Sequence, residues 1–126
     1  MMVNHDPKAT AIAFLQHAVA GRARSEAARY LAPGFLHHNL HFPGDANALL
    51  EAMDKNAEQF PGKTLEVVRA VQEGDFVATL CKVKHTAEEP GWAVNHWFRF
   101  EGGKIAELWD LAQALPKDSP NRNGPF

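Results

Sequence analysis

An α+β domain, with three helices followed by a curved antiparallel sheet, is the fold class this chain predicts. The main reason is a change of period. Apolar residues recur at helical spacing as far as Phe60 and at a spacing of two from Thr64 onward. Helices grouped before strands imply one sheet with the helices packed across one face. A second reason is local. Residues 93–100 and 105–111, both dense in strand formers, flank Gly102 and Gly103. Two residues able to take positive φ between such runs are a strong hairpin signal. Length is the third: 126 residues, 45% of them hydrophobic, suffice for one core without disulfide or metal staples.

Each element has its own warrant. Asp6 and Pro7 read as a helix N-cap and first position, where proline's missing N–H costs nothing. That helix carries Ile12, Leu15 and Val19 on one stripe to about Ala20, and Gly21 stops it. Ser25 is placed to cap a second, short helix through Leu31, which Pro33 and Gly34 end. Residues 35–40 form a short extended piece with His37, His38 and Asn39. After Gly44 and Asp45 comes the clearest amphipathic stripe, Ala46, Leu49, Leu50, Met53, Ala57 and Phe60, closed by Pro61 and Gly62. Strands at 64–72 and 76–86 pair through the tight Glu73-Gly74-Asp75 turn. A loop at 88–91 leads into the Gly-Gly hairpin, and Pro116 ends the last strand. No linker or repeat divides the chain, so 1–126 reads as one domain with 1–6 and 117–126 as extended tails.

Composition narrows the function. With a net charge of −2 and dispersed basic residues, the chain lacks the cationic face of a nucleic-acid binder. No apolar run approaches the ~20 residues that span a bilayer, and the N-terminus lacks the regions of a signal peptide. The single cysteine, Cys81, suits a reducing compartment and reads as a small buried hydrophobe. A cytoplasmic protein is expected.

The most informative residue is Asp110, between Trp109 and Leu111 in the last strand. A carboxylate among such neighbours loses hydration. Two readings are open: an acid–base group in a pocket, or a strand-end residue that reaches water. In a regular two-residue hairpin Asn95 faces Asp110, and Asn95, Trp97, Leu108 and Asp110 share one face. Phe98, Phe100, Trp109 and Leu111 then share the other, an apolar patch that predicts a homodimer. A single β-bulge would exchange His96 for Asn95 on the inner face. Both remain candidates. His37 and His38, as strand neighbours, point to opposite faces and do not readily share an ion, so no metal is expected.

The tracts FRFEGGKIAELWDLAQ, FLHHN and NRNGPF together resemble the SnoaL-like branch of the nuclear transport factor 2-like superfamily. The resemblance implies a cone-shaped, cystatin-like α+β barrel, dimerised through the outer sheet face. In its polyketide cyclase members an aspartate on the last strand is the acid–base catalyst for an intramolecular aldol closure, without metal or cofactor. Asp110 matches that aspartate, His96 an assisting histidine, and His38 with Asn39 a His-Asn pair. The chain departs from the pattern at Leu108, where relatives often carry histidine, and at Leu80 and Lys82. Tyr30, the only tyrosine, lies on the wrong helix to serve as the phenol of a ketosteroid-isomerase-like site.

The expected function is therefore a pocket for a small apolar or aromatic molecule. In the catalytic version a cofactor-free enzyme acts next to a carbonyl, by aldol-type cyclisation or isomerisation. Asp110, His96 and His38 are its expected catalytic residues. Asn95, Trp97, Leu108, Asn39, Met53 and Phe14 are the expected ligand contacts. The alternative is a non-catalytic ligand-binding or dimeric scaffold protein of the same fold.

Overall fold

The computed structural model describes residues 6–126, so the reading of the first five residues as a tail lies outside it. Helix α1 (Pro7–Val19) starts where Asp6 accepts the Lys8 N–H at 3.1 Å. Helix α2 (Ala23–Tyr30) is capped from a distance. Asp54, in helix α3 (Ala46–Gln59), accepts the backbone N–H groups of Ala23 at 2.8 Å and Arg24 at 3.3 Å. The expected cap, Ser25, instead donates to the Arg22 carbonyl. Asp45 caps α3 by accepting the Ala48 N–H at 3.1 Å.

Between α2 and α3 runs strand β1 (Leu31–His37), which begins earlier than the expected extended piece. The meander follows as β2 (Thr64–Glu73), β3 (Phe76–Lys84), β4 (Trp92–Glu101) and β5 (Lys104–Ala114). Together they make one sheet in the order β1-β5-β4-β3-β2. The meander is antiparallel, but β1 joins β5 in parallel, so the curved sheet is mixed. This is no strand–helix–strand crossover, since α3 leads from β1 to β2 at the opposite edge. Pro33 is tolerated because β1 is an edge strand, where a missing N–H breaks no second ladder. The β1–β5 register slips between Leu31 and Leu36, across Pro33 and the left-handed Gly34 (φ 79°).

The β4–β5 hairpin decides what faces inward. Glu101 pairs with Lys104 and Phe100 with Ile105, but Arg99 then pairs with Glu107. Ala106 is the extra residue of a β-bulge. Past it, His96 rather than Asn95 lies opposite Asp110, and Asn95 pairs with Leu111. Phe98 and Phe100, taken as outward on the regular hairpin, are 0% and 4% exposed, whereas Trp97 is 44% exposed. The bulge carries β4 onto the opposite parity, since one inserted residue flips every side chain paired beyond it.

The inner face reads in rows across β3, β4 and β5. Val77, Phe98 and Leu108 form one fully buried row beneath Phe14, Leu15 and Leu49 of the helices. The next row is Thr79, His96 and Asp110. Beyond it lie Cys81, Val94 and Ala112. A polar row is thus set between apolar ones.

Candidate active site

Above the polar row the helices and sheet leave a cavity of about 310 Å³, at the small end of the ~300–1,000 Å³ usual for ligand sites. Leu49 and Met53 of α3, Leu65 of β2 and Trp92 of β4 supply much of its apolar wall. His96, Asp110, Asn39, Lys63, Asn56 and His85 supply its polar part. Among the described residues, no three His, Cys, Asp or Glu side chains cluster as metal ligands.

Asp110 is held by Asn39, whose amide Nδ2 donates to Oδ2 at 3.1 Å. Local chemistry sets the orientation of that amide. Its Oδ1 accepts the His41 N–H at 3.0 Å, which leaves the NH₂ group to turn toward the carboxylate. The Asn39 backbone N–H donates to Nδ1 of His37 at 3.1 Å, and Nε2 of His37 meets the Pro43 carbonyl at 2.7 Å. A carbonyl only accepts, so the proton sits on Nε2 and Nδ1 is the acceptor. His37, 5% exposed, is thus the buried brace of the loop that carries Asn39.

His96 is 6% exposed and its Nδ1 has no partner among the described residues. Burial pulls its pKa from 6.5 to about 4, with the Asp110 charge opposing that fall and Lys63 adding to it. The imidazole is therefore neutral at physiological pH. The unfolded chain takes up this proton near 6.5 and the folded chain only near 4. Between those values the unfolded state binds more protons, so stability rises with pH across the window, and the contribution present above it is lost as pH drops toward 4. It amounts to about 3 kcal/mol. Urea midpoints at neutral pH and at pH ~4.5 should show a larger loss for the wild type than for His96→Gln. Equal losses would contradict this account of the buried imidazole.

The expected site residues divide. Asp110, His96, Asn39 and Met53 all line the cavity. Phe14 and Leu108, 0% and 1% exposed, are packed in the core beside it. Neither lines the cavity, which corrects Phe14 and Leu108 as ligand contacts, and three further expectations are corrected. Asn95 and Trp97 lie on the outer sheet face, for the bulge reason given above. His38 also points outward, because alternation along β1 sends His37 in. It stacks on Trp109 (4.8 Å between centroids, 8° between planes), and its Nε2 lies 2.6 Å from Glu107 Oε2. His38 and then Arg99 hold the Glu107 carboxyl below its usual range. Sequence reasoning missed Lys63, Asn56 and His85 as cavity groups. A lysine directly after a Pro-Gly turn carries no signal that its amine folds back over a pocket.

Comparison with known proteins decides the family. A family model described as a SnoaL-like domain matches residues 11–108. The chain belongs to the SnoaL-like domain family. The matched span includes Asn39, Lys63 and His96 and stops just before Asp110. This SnoaL-like chain is 25% identical to IdmH, a candidate polyketide cyclase from Streptomyces antibioticus, with a TM-score of 0.68 over 86% of this chain and 92% of that one. It is 23% identical to AclR, a candidate hydroxylase from Streptomyces galilaeus (TM-score 0.64, covering 84% and 90%). A candidate ketosteroid isomerase from Kribbella flavida is 18% identical (TM-score 0.67, covering 91% and 83%). At those identities the last two speak for the fold alone. A search of curated proteins finds no match. Among the described residues no helix is long and apolar enough to cross a membrane.

Proposed function

We propose that this SnoaL-like protein is a cofactor-free acid–base enzyme acting next to a carbonyl, by aldol-type cyclisation or isomerisation. The observation that carries the reading is the placement of Asp110. It sits on the cavity wall directly across the β4–β5 pair from His96 and is held by the Asn39 amide. Asp110 takes the proton from the carbon beside the carbonyl and returns it. Neutral His96 hydrogen-bonds the oxygen as charge develops there, and a donor fixed in a dry site needs little reorganisation. The apolar wall folds the substrate. Likeness to IdmH supports cyclisation as the reaction class. Proton exchange in D₂O tests the reading without knowing the substrate. Across a panel of small aromatic β-diketones followed by NMR, the wild type should speed exchange at the carbon between the carbonyls. No acceleration anywhere in the panel would favour the second reading, a binding protein, which the largely apolar lining supports.

We also propose a homodimer through the outer sheet face. Val71, Phe76, Trp97 and Leu111 are 56%, 40%, 44% and 69% exposed and border one shallow groove with Trp109. So contiguous an apolar patch is costly to leave in water. Phe98 and Phe100 are not part of it. Light scattering should give twice the chain mass at micromolar concentration, and Trp97→Glu with Leu111→Glu should give a monomer. A monomeric wild type would overturn the assignment.

A further inference from the structure

Lys63 is a cavity group that the proposed acid–base chemistry does not use. It follows the turn after α3, and its ammonium donates to Asn56 Oδ1 on the cavity wall. An ammonium has three donors, so this amide satisfies only part of its capacity. Among the described residues no carboxylate forms an ion pair with it. The acid sharing the cavity, Asp110, is engaged by Asn39, and His85 pairs instead with Glu89 at 3.5 Å. Loss of hydration lowers the pKa of Lys63, the response of a cation drawn from water without a counter-charge. Its field also reaches His96, whose protonation it opposes. A positive group therefore shares the cavity with the polar row, while Leu15, Leu49 and Met53 give the same cavity apolar surface.

Resting on the pocket reading above and deepening it, the geometry points to a carboxylic acid as the ligand class, an apolar or aromatic body whose carboxylate is bound by the Lys63 ammonium. Such a ligand supplies the counter-charge and acceptors that the protein does not. A carboxylate is favoured over a phenol because it arrives ionised at neutral pH, whereas a phenol ionises near pH 10. Asp110 repels the carboxylate, which directs that end of the ligand toward Lys63 and keeps the neutral end against the carboxylate base.

A matched pair of probes tests this by calorimetry at neutral pH: 2-naphthoate and 2-naphthalenemethanol, alike in body and different in charge. The wild type should bind the acid about tenfold or more tighter, as expected of a charge-assisted hydrogen bond. Lys63→Met should remove the preference while still binding the alcohol, and Lys63→Arg should keep most of it. In NMR spectra the Lys63 Cε resonances should move with the acid and not with the alcohol. Equal binding of the two probes by the wild type would overturn the inference and leave the pocket reading standing. So would a preference that survives in Lys63→Met. Binding of neither probe up to its solubility would overturn both.

Discussion

Asp110→Asn should leave the protein folded and reduce turnover of a carbonyl substrate by about 10²–10⁴-fold, the usual worth of a positioned acid–base group. The substitution keeps the shape of the side chain and an oxygen that accepts from the Asn39 amide, so the bond now at 3.1 Å has a replacement. It removes the basic lone pairs that a carboxylate brings to the carbon acid. Deuterium exchange on the most responsive β-diketone measures the activity, and thermal melting measures the fold. A variant that melts like the wild type and exchanges as fast would remove Asp110 from the mechanism. In a protein that only binds, the same variant should show a modest change in affinity and little change in stability. The two readings of the cavity thus separate on one variant.

Phe98→Ala should cost roughly 3–5 kcal/mol of stability, the range for emptying a buried aromatic site. Phe98 has no exposed surface and lies in register with Val77 on one side and Leu108 on the other, both almost completely buried. Little around it can collapse into the space left behind. Trp97→Ala, one position away and 44% exposed, should cost a monomer much less. The comparison reads the bulge directly. On a regular two-residue hairpin the two costs would exchange, because Trp97 would be inside and Phe98 outside. Urea denaturation of both variants, made in the background of Leu111→Glu to suppress association, decides between the registers.

That bulge marks where local reasoning ended. The helix starts at Asp6 and Asp45, the Gly-Gly turn and the order of elements all depend on residues a few positions apart. Caps, turns and periodicities are set by contacts within one or two turns of chain, so they are legible without the rest of the molecule. Asp110 as the unusual residue of the last strand was legible for the same reason, an acid in an apolar alternating run. Its partner across the sheet was not. Whether His96 or Asn95 faces it depends on one inserted residue, Ala106, and that choice follows from how Phe98, Phe100 and Ile105 pack under the helices. On a strand of alternating bulk both parities offer apolar residues, and only burial against a third element breaks the tie.

The remaining differences share this cause. Capping of α2 by Asp54, about thirty residues away, replaced the nearer Ser25 because α3 lies against α2. Strand β1 found its parallel place beside β5 through contacts some seventy residues apart in sequence. His38 went outward and Asn39 reached Asp110 because the loop after β1 is braced by His37 and Pro43. Lys63, a lysine after a turn, is held at the cavity by an acceptor on α3, Asn56. The sequence by itself determined the elements, their order, the SnoaL-like resemblance and the aspartate on which the chemistry turns. The tertiary structure alone decided which side chains meet that aspartate, since pairing across a sheet and the folding back of a long side chain are settled by distant parts of the chain.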